Sequence, residues 1–244
     1  MVRRMVADWY VASRGIRVGL LLLVVGPMTA HGYDFDTSGY LAEAFRWPAW
    51  SDTVARHQNQ RQLIADCLDD VARCSRPLRG MRVIIERGAT LPLDKRLALV
   101  NRYINRRGYR RERILPHASV ATSSRPAQAA RAGNRWQTLV EFLERGGDCE
   151  DFATAKYFLL REMGVPEEDL RVLVVYDRTV REHHAVVAVR RPGGPAWLLE
   201  IDNTILRRDR PGGRSSYRPV YAMSERSIWD YRKLAIVETK RRGS

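Results

Sequence analysis

Gly146-Gly147-Asp148-Cys149-Glu150-Asp151-Phe152-Ala153-Thr154-Ala155-Lys156-Tyr157 decides how the rest of the chain is read, because a glycine turn there delivers a cysteine to the start of a helical pattern. From Cys149 to Met163 the apolar residues Phe152, Ala155, Phe158, Leu159 and Met163 recur three or four apart, the spacing of one buried helix face, and Gly164 supplies the stop. A thiol at a helix start meets unpaired backbone N–H groups and the positive end of the helix dipole, and both favour the reactive thiolate. An ordinary cysteine, with a pKa of about 8.5, lies roughly 2 kcal/mol from half ionisation at neutral pH. A helix end supplies about half of that, so a nucleophilic Cys149 calls for a histidine partner.

Downstream stand three strand-like runs, Leu170–Tyr176, His183–Arg190 and Ala196–Asp202, separated by polar or Pro-Gly-Gly stretches. The second begins Glu182-His183-His184-Ala185-Val186-Val187 and the third ends Glu200-Ile201-Asp202-Asn203. Cysteine on a helix start, histidine on one strand and aspartate on the next is an order that can build a thiolate–imidazolium pair with a carboxylate behind the ring. Adjacent strand residues point to opposite faces, so only one of His183 and His184 can meet Cys149. A closing strand is predicted over Tyr217–Tyr221, and a turn or helix over Ser227–Val237, after a basic loop at Arg207–Arg214. The expected class is α+β, with the nucleophile at a helix N-terminus packed on an antiparallel sheet and a helical lobe preceding it.

Upstream, Ser51 to about Cys74 reads as a helix, with Val54, Leu63, Ile64, Cys67 and Val71 as a partial buried stripe. A short helix is predicted around Leu78–Glu86. Leu93, Leu97, Val100 and Ile104 mark another, closed by Gly108. Asn101 and Asn105 on it read as helix-packing residues, Trp136 as a core anchor, and Trp136–Arg145 as a short amphipathic helix. Residues 31–50 read as an irregular lead-in without chemistry. The organisation expected is a signal peptide at 1–30, an N-terminal helical lobe at 31–110, a flexible basic loop at 111–135 and a catalytic core at 136–240.

With 45% hydrophobic and 29% charged residues, the 244-residue chain can bury a substantial core. Residues 1–30 differ from the rest: Arg3, Arg4, Arg14 and Arg17 precede the apolar run Val18–Gly26, too short for a comfortable membrane span, and Ala30 stands at a cleavage point. This reads as a cleaved secretory signal, with an uncleaved anchor as the alternative. The net charge is +14, and +11 without residues 1–30, with arginine outnumbering lysine in every segment. No zinc-finger spacing or RNA-binding aromatic motif accompanies the charge, so a solvated basic surface is expected and no nucleic-acid partner. Cys67 and Cys74 would be about 10.5 Å apart along a continuous helix, so a disulfide between them requires a break near Asp69-Asp70.

Gly147–Ala153 with Ala155-Lys156-Tyr157, then His184-Ala185-Val186-Val187, then Asp202-Asn203, resembles the bacterial transglutaminase-like cysteine proteinase family, which includes LapG-type periplasmic adhesin proteases. The likeness extends to Val100–Asn105, Trp136–Glu141, Pro219-Val220-Tyr221 and Trp229, with Arg135 where the family pattern has an aromatic. The resemblance implies a papain-like, transglutaminase-type core with Cys149, His184 and Asp202 as the triad. It selects His184 over His183 by position. It further implies a calcium ion held by Asp148, Glu150 and Asp151, a large cell-surface adhesin as substrate, a role in biofilm attachment, and an inner-membrane receptor sensing cyclic diguanylate as partner. The same triad also suits acyl transfer to an amine, as in transglutaminases, and an inert Cys149 would leave a calcium-binding or receptor-docking module.

Overall fold

Helix α1 (Pro48–Asp69) begins on a proline, tolerated in a first turn because its missing N–H has no intrahelical acceptor there. It ends at Asp70, whose backbone is extended and whose carboxylate accepts the Ala72 N–H (2.9 Å) to open a single 3₁₀ turn, Val71–Arg73. The periodicity carried this helix on to Cys74, and the structure stops it five residues earlier. That break brings Cys67 and Cys74 to a Cα separation of 4.3 Å and joins them as a disulfide. Arg82 caps the freed end, donating to the carbonyls of Cys67 (2.6 Å) and Leu68 (2.7 Å).

This computed structural model describes residues 33, 35, 40–43, 47–110, 135–191, 194–206 and 216–231. The expected signal at 1–30 and nearly all of the 111–135 and 207–214 loops lie outside the described residues. Helices α2 (Arg76–Gly88) and α3 (Leu93–Asn105) form an antiparallel hairpin, with Gly80 against Tyr103 and Gly88 against Leu99. α4 (Leu139–Arg145) starts three residues later than the amphipathic pattern suggested, because Thr138 and Glu141 form a reciprocal capping box. α5 (Cys149–Glu162) is followed by Gly164 at φ +81°, a left-handed stop that glycine tolerates.

The strands are β1 (Tyr40–Glu43), β2 (Leu170–Asp177), β3 (Glu182–Arg191), β4 (Gly194–Leu199), β5 (Ile205–Leu206), β6 (Tyr217–Met223) and β7 (Ser227–Asp230). They make one antiparallel sheet in the order β1-β7-β6-β2-β3-β4-β5. Strand alternation divides its two faces. Val172, Ala185, Val187, Val189 and Leu199 join one continuous core with residues from each of the described helices α1–α5. Trp50 is central to it: fully buried, stacked on Phe158, with its indole N–H on the Ser224 carbonyl (2.7 Å) beyond β6. The helices thus lie on one side of the sheet, and the α+β class expected from the sequence is the class observed.

Leu173, Val175, Val186, Ala188, Leu198 and Ala222 form the second face, covered by Tyr33 and Phe35. The buried Arg171 guanidinium lies 3.8 Å from the Trp229 ring centroid and 4.4 Å from that of Phe35, and it donates to the Tyr33 hydroxyl (2.6 Å). The lead-in at 31–50 is therefore more than irregular, since it supplies an edge strand and part of the cover for this face. Among the described residues no helix is long and apolar enough to cross a membrane. The disulfide closes a short loop, so the Cys67→Ser/Cys74→Ser double variant is expected to lose about 2–3 kcal/mol of stability, read from urea unfolding against the oxidised wild type.

Candidate active site

Two glycines and one carboxylate set the position of Cys149. Gly146 has φ +70°, and a Cβ there would stand 2.8 Å from the Gly108 carbonyl oxygen. A Cβ on Gly147 would fall 2.1 Å from Asp151 Oδ2, so the space a side chain would need is taken by that carboxylate. Asp151 uses it to accept the Gln137 N–H (2.8 Å), the Gln137 Nε2–H (2.8 Å) and the Asp148 N–H (3.3 Å). The turn is tied from its other side by a parallel bridge between Tyr109 and Gly147, with the Arg110 N–H on the Gly147 carbonyl (2.8 Å).

Cys149 opens α5 half-buried, its Sγ 3.2 Å from Glu150 Oε2 and hydrogen-bonded by the Ala185 backbone N–H of β3. Burial pushes its thiol up to about 12, Glu150 and Asp148 add to the rise, and the Ala185 N–H works against it. The helix start alone does not ionise this thiol, in keeping with the histidine partner that the sequence calls for. His184, the residue before Ala185, places Nε2 2.9 Å from Glu200 Oε2, while Glu200 Oε1 accepts the Tyr217 hydroxyl (2.9 Å). His183 is exposed, its ring edge-on to Tyr176. The histidine that carries a carboxylate is therefore His184.

That carboxylate belongs to Glu200, whereas the sequence expectation put Asp202 behind the ring. β4 ends at Leu199, and the Glu200 N–H closes onto the Thr204 carbonyl (3.0 Å) around a turn with Asn203 at φ +73°. Asp202 sits on that turn, where its Oδ1 accepts the Thr204 N–H (2.9 Å) and hydroxyl (2.6 Å), bonds that hold its carboxyl below the usual range. Lys156 Nζ and Asn105 Nδ2 both donate to the Glu200 carbonyl at 2.8 Å, and Asn101 Nδ2 donates to that of Thr204 (3.1 Å). Glu200 was the functional candidate that sequence reasoning missed. Its signal was present, because strand residues two apart share a face and Glu200 alternates with Asp202.

Three acidic residues were expected to hold calcium. Asp148 and Glu150 are hydrogen-bonded to each other, and burial together with Asp148 pushes the Glu150 carboxyl up, so the pair suits a shared proton or a hard cation. Asp151 differs: three N–H donors occupy its two oxygens, which leaves it a turn anchor. Gln137 Oε1 is a buried acceptor without a partner beside it. Among the described residues no three His, Cys, Asp or Glu side chains converge as a metal cage. The fit is therefore to Asp148 and Glu150.

Lys156 is 1% exposed, and burial lowers its ammonium to about 7, against the raising effect of Glu200 and Asp202. Its folded pKa lies below the unfolded value, so the unfolded chain binds more protons between about 7 and 10.5 and this residue makes stability rise with pH in that window. Lys156→Met is expected to flatten the rise between pH 7 and 9, measured as the difference in urea midpoint from wild type at each pH.

The fold has known counterparts. Residues 120–227 match the family model of the bacterial transglutaminase-like cysteine proteinases. The calcium-bound LapG of Legionella pneumophila superposes with a TM-score of 0.52 at 25% identity, over 68% of this chain and 85% of that one. EGTA-treated LapG of the same organism gives 0.52 at 24% identity, over 71% and 86%. A third LapG structure gives 0.52 at 23%, over 73% and 93%. No curated protein sequence matches the chain. Residues 120–227, which carry the cysteine turn, His184 and the Glu200 turn, are thus similar to the bacterial transglutaminase-like cysteine proteinases, and the α+β architecture is similar to that of the solved LapG structures.

Proposed function

We propose that this transglutaminase-like cysteine protease is a periplasmic, calcium-dependent endopeptidase that processes a large cell-surface adhesin and so controls biofilm attachment. An inner-membrane receptor that senses cyclic diguanylate is its proposed sequestering partner. The observation that carries the catalytic part is the meeting of Cys149 Sγ with the Ala185 N–H, one residue from a His184 whose Nε2 is held by Glu200. The secretion-type sequence at 1–30 and the Cys67–Cys74 disulfide suit an oxidising compartment. The calcium-bound Legionella LapG supports the metal.

With Nε2 committed to Glu200, Nδ1 is the His184 nitrogen that takes the Cys149 proton. The thiolate attacks the carbonyl carbon of the scissile amide, and the oxyanion is met by backbone N–H groups at the start of α5. The imidazolium gives its proton to the leaving amine as the C–N bond breaks, leaving a thioester on Cys149. Water, losing a proton to His184, then hydrolyses the thioester and regenerates the thiol. Glu200 fixes the ring and stabilises its charged form, and Lys156 and Asn105 hold the Glu200 main chain. Asp148 and Glu150 would hold a calcium ion, whose positive charge would offset the two carboxylates that raise the Cys149 pKa.

Iodoacetamide alkylation of Cys149, followed by mass spectrometry, tests both parts. At pH 7 calcium is expected to accelerate wild-type alkylation by about tenfold or more over chelator, since it removes the charge that holds the proton on sulfur. Equal slow rates in calcium and chelator, unchanged in His184→Ala, would sink the protease assignment. Glu200→Gln is expected to slow the calcium-supported rate by about tenfold or more, with Asp202→Asn within about twofold of wild type. The opposite ranking assigns the ring's support to Asp202.

A further inference from the structure

The stretch from Arg102 to Arg110 runs along both halves of the site. Asn105 Nδ2 donates to the Glu200 carbonyl (2.8 Å) and to Asn203 Oδ1 (3.1 Å), on the side of the imidazole's support. Gly108 O packs under Gly146, Tyr109 bridges to Gly147, and the Arg110 N–H bonds the Gly147 carbonyl (2.8 Å), on the side of the nucleophile. The segment therefore abuts both the turn that carries Glu200 and the turn that presents Cys149.

Residues 101–110 carry four arginines and no acidic residue. Arg102, Arg106 and Arg110, spaced four apart, are exposed, and none is paired with a carboxylate among the described residues. Other arginines of this chain are spent on structure: Arg96 on the carbonyls of Gly88, Leu91 and Met163, and Arg56, Arg161 and Arg226 on glutamates. Beside the three unspent guanidiniums, Tyr109 is 51% exposed with its ring 6.1 Å from that of Phe152, an apolar surface at the edge of the nucleophile turn. The three guanidiniums stand apart from the acidic residues at the nucleophile turn, Asp148 and Glu150, so acidic groups that they bind belong to residues flanking the scissile bond.

We propose that Arg102, Arg106 and Arg110 form a specificity rim that binds acidic polypeptide segments flanking the scissile bond. This rests on the endopeptidase reading above for its biological meaning, and its test does not require cleavage. Each guanidinium–carboxylate pair at an exposed position contributes at most a few-fold in affinity, so three give about tenfold, weakening as salt screens them. Arg supports this better than Lys because its planar fork takes a carboxylate through two hydrogen bonds.

The experiment uses the full chain carrying Cys149→Ser and three fluorescein-labelled peptides with the same Ala-Gly-Ala centre, flanked on both sides by Asp, Ser or Lys runs. Fluorescence anisotropy in one calcium-containing buffer is expected to show the Asp peptide binding about tenfold tighter than the Ser peptide, with the Lys peptide weakest and the preference lost at high salt. Arg102→Glu/Arg106→Glu/Arg110→Glu, with an unchanged thermal midpoint, is expected to abolish the preference. Arg87→Glu/Lys95→Glu, at the opposite end of the same helical hairpin and about 10 Å or more from Arg102, is expected to keep it. Three equal affinities overturn the proposal, as does equal loss in the distant control, which would mean diffuse basic charge only. Tighter binding of phosphatidylglycerol vesicles or duplex DNA than of the Asp peptide also overturns it. A wild type whose thiol fails the alkylation test refutes the protease reading separately and leaves these binding outcomes readable.

Discussion

The Asp151 carboxylate is the constraint on which the site depends. By accepting three N–H groups it joins the stretch before α4 to the first turn of α5, and it fills the volume that any side chain at position 147 would need. Burial pushes its carboxyl up to about 6, and the donors from Gln137 and Asp148 oppose the rise. Such a group is costly to bury uncompensated, so the Gln137 amide and the glycine turn are parts of one arrangement. The arrangement fixes where α5 begins, and hence which strand the Cys149 thiol meets.

Cys149 is the site of an electrostatic contest whose magnitudes are informative. A helix N-terminus favours an anion by about 0.3–1 kcal/mol. Burial and the neighbouring Glu150 and Asp148 push the thiol from its ordinary value up to about 12, which corresponds to roughly 4–5 kcal/mol against ionisation. The helix end loses that contest by a wide margin. In the function proposed above, activation comes from compensating the carboxylates and from a base able to take the proton, which makes the acidic pair and His184 complementary parts of one device. Dipole reasoning alone described only its weakest term.

Much of this architecture was legible in the chain. The α5 face of Phe152, Ala155, Phe158 and Leu159 and the β2 and β3 runs are local patterns, and they fold where periodicity put them. What was not legible depended on distant partners or on where an element stops. β1 exists because Tyr40–Glu43 finds the edge of β7, nearly two hundred residues away, and Tyr33 and Phe35 matter because Arg171 needs aromatic cover. α1 ends at Asp69 because an aspartate takes up a capping role that helical periodicity does not report. Glu200 and Asp202 share a strand face on paper. Only the end of β4 at Leu199 separates them, giving the imidazole to one and Thr204 to the other.

That separation explains several polar residues at once. The Glu200 carbonyl, left without a ladder partner as the strand turns away, receives both the buried Lys156 ammonium and the Asn105 amide. A lysine whose desolvation lowers it to about 7 is an expensive donor for one carbonyl. The expense is intelligible if the carbonyl must not move. Lys156 lies two turns along the helix that Cys149 opens, and Asn105 lies on α3, which continues into the bridge at Gly147. The Glu200 main chain and the turn that presents Cys149 are thus anchored to the same two helices, α3 and α5. Packing of these helices against the Trp50 core then serves the chemistry directly, by fixing the relation between thiol and imidazole.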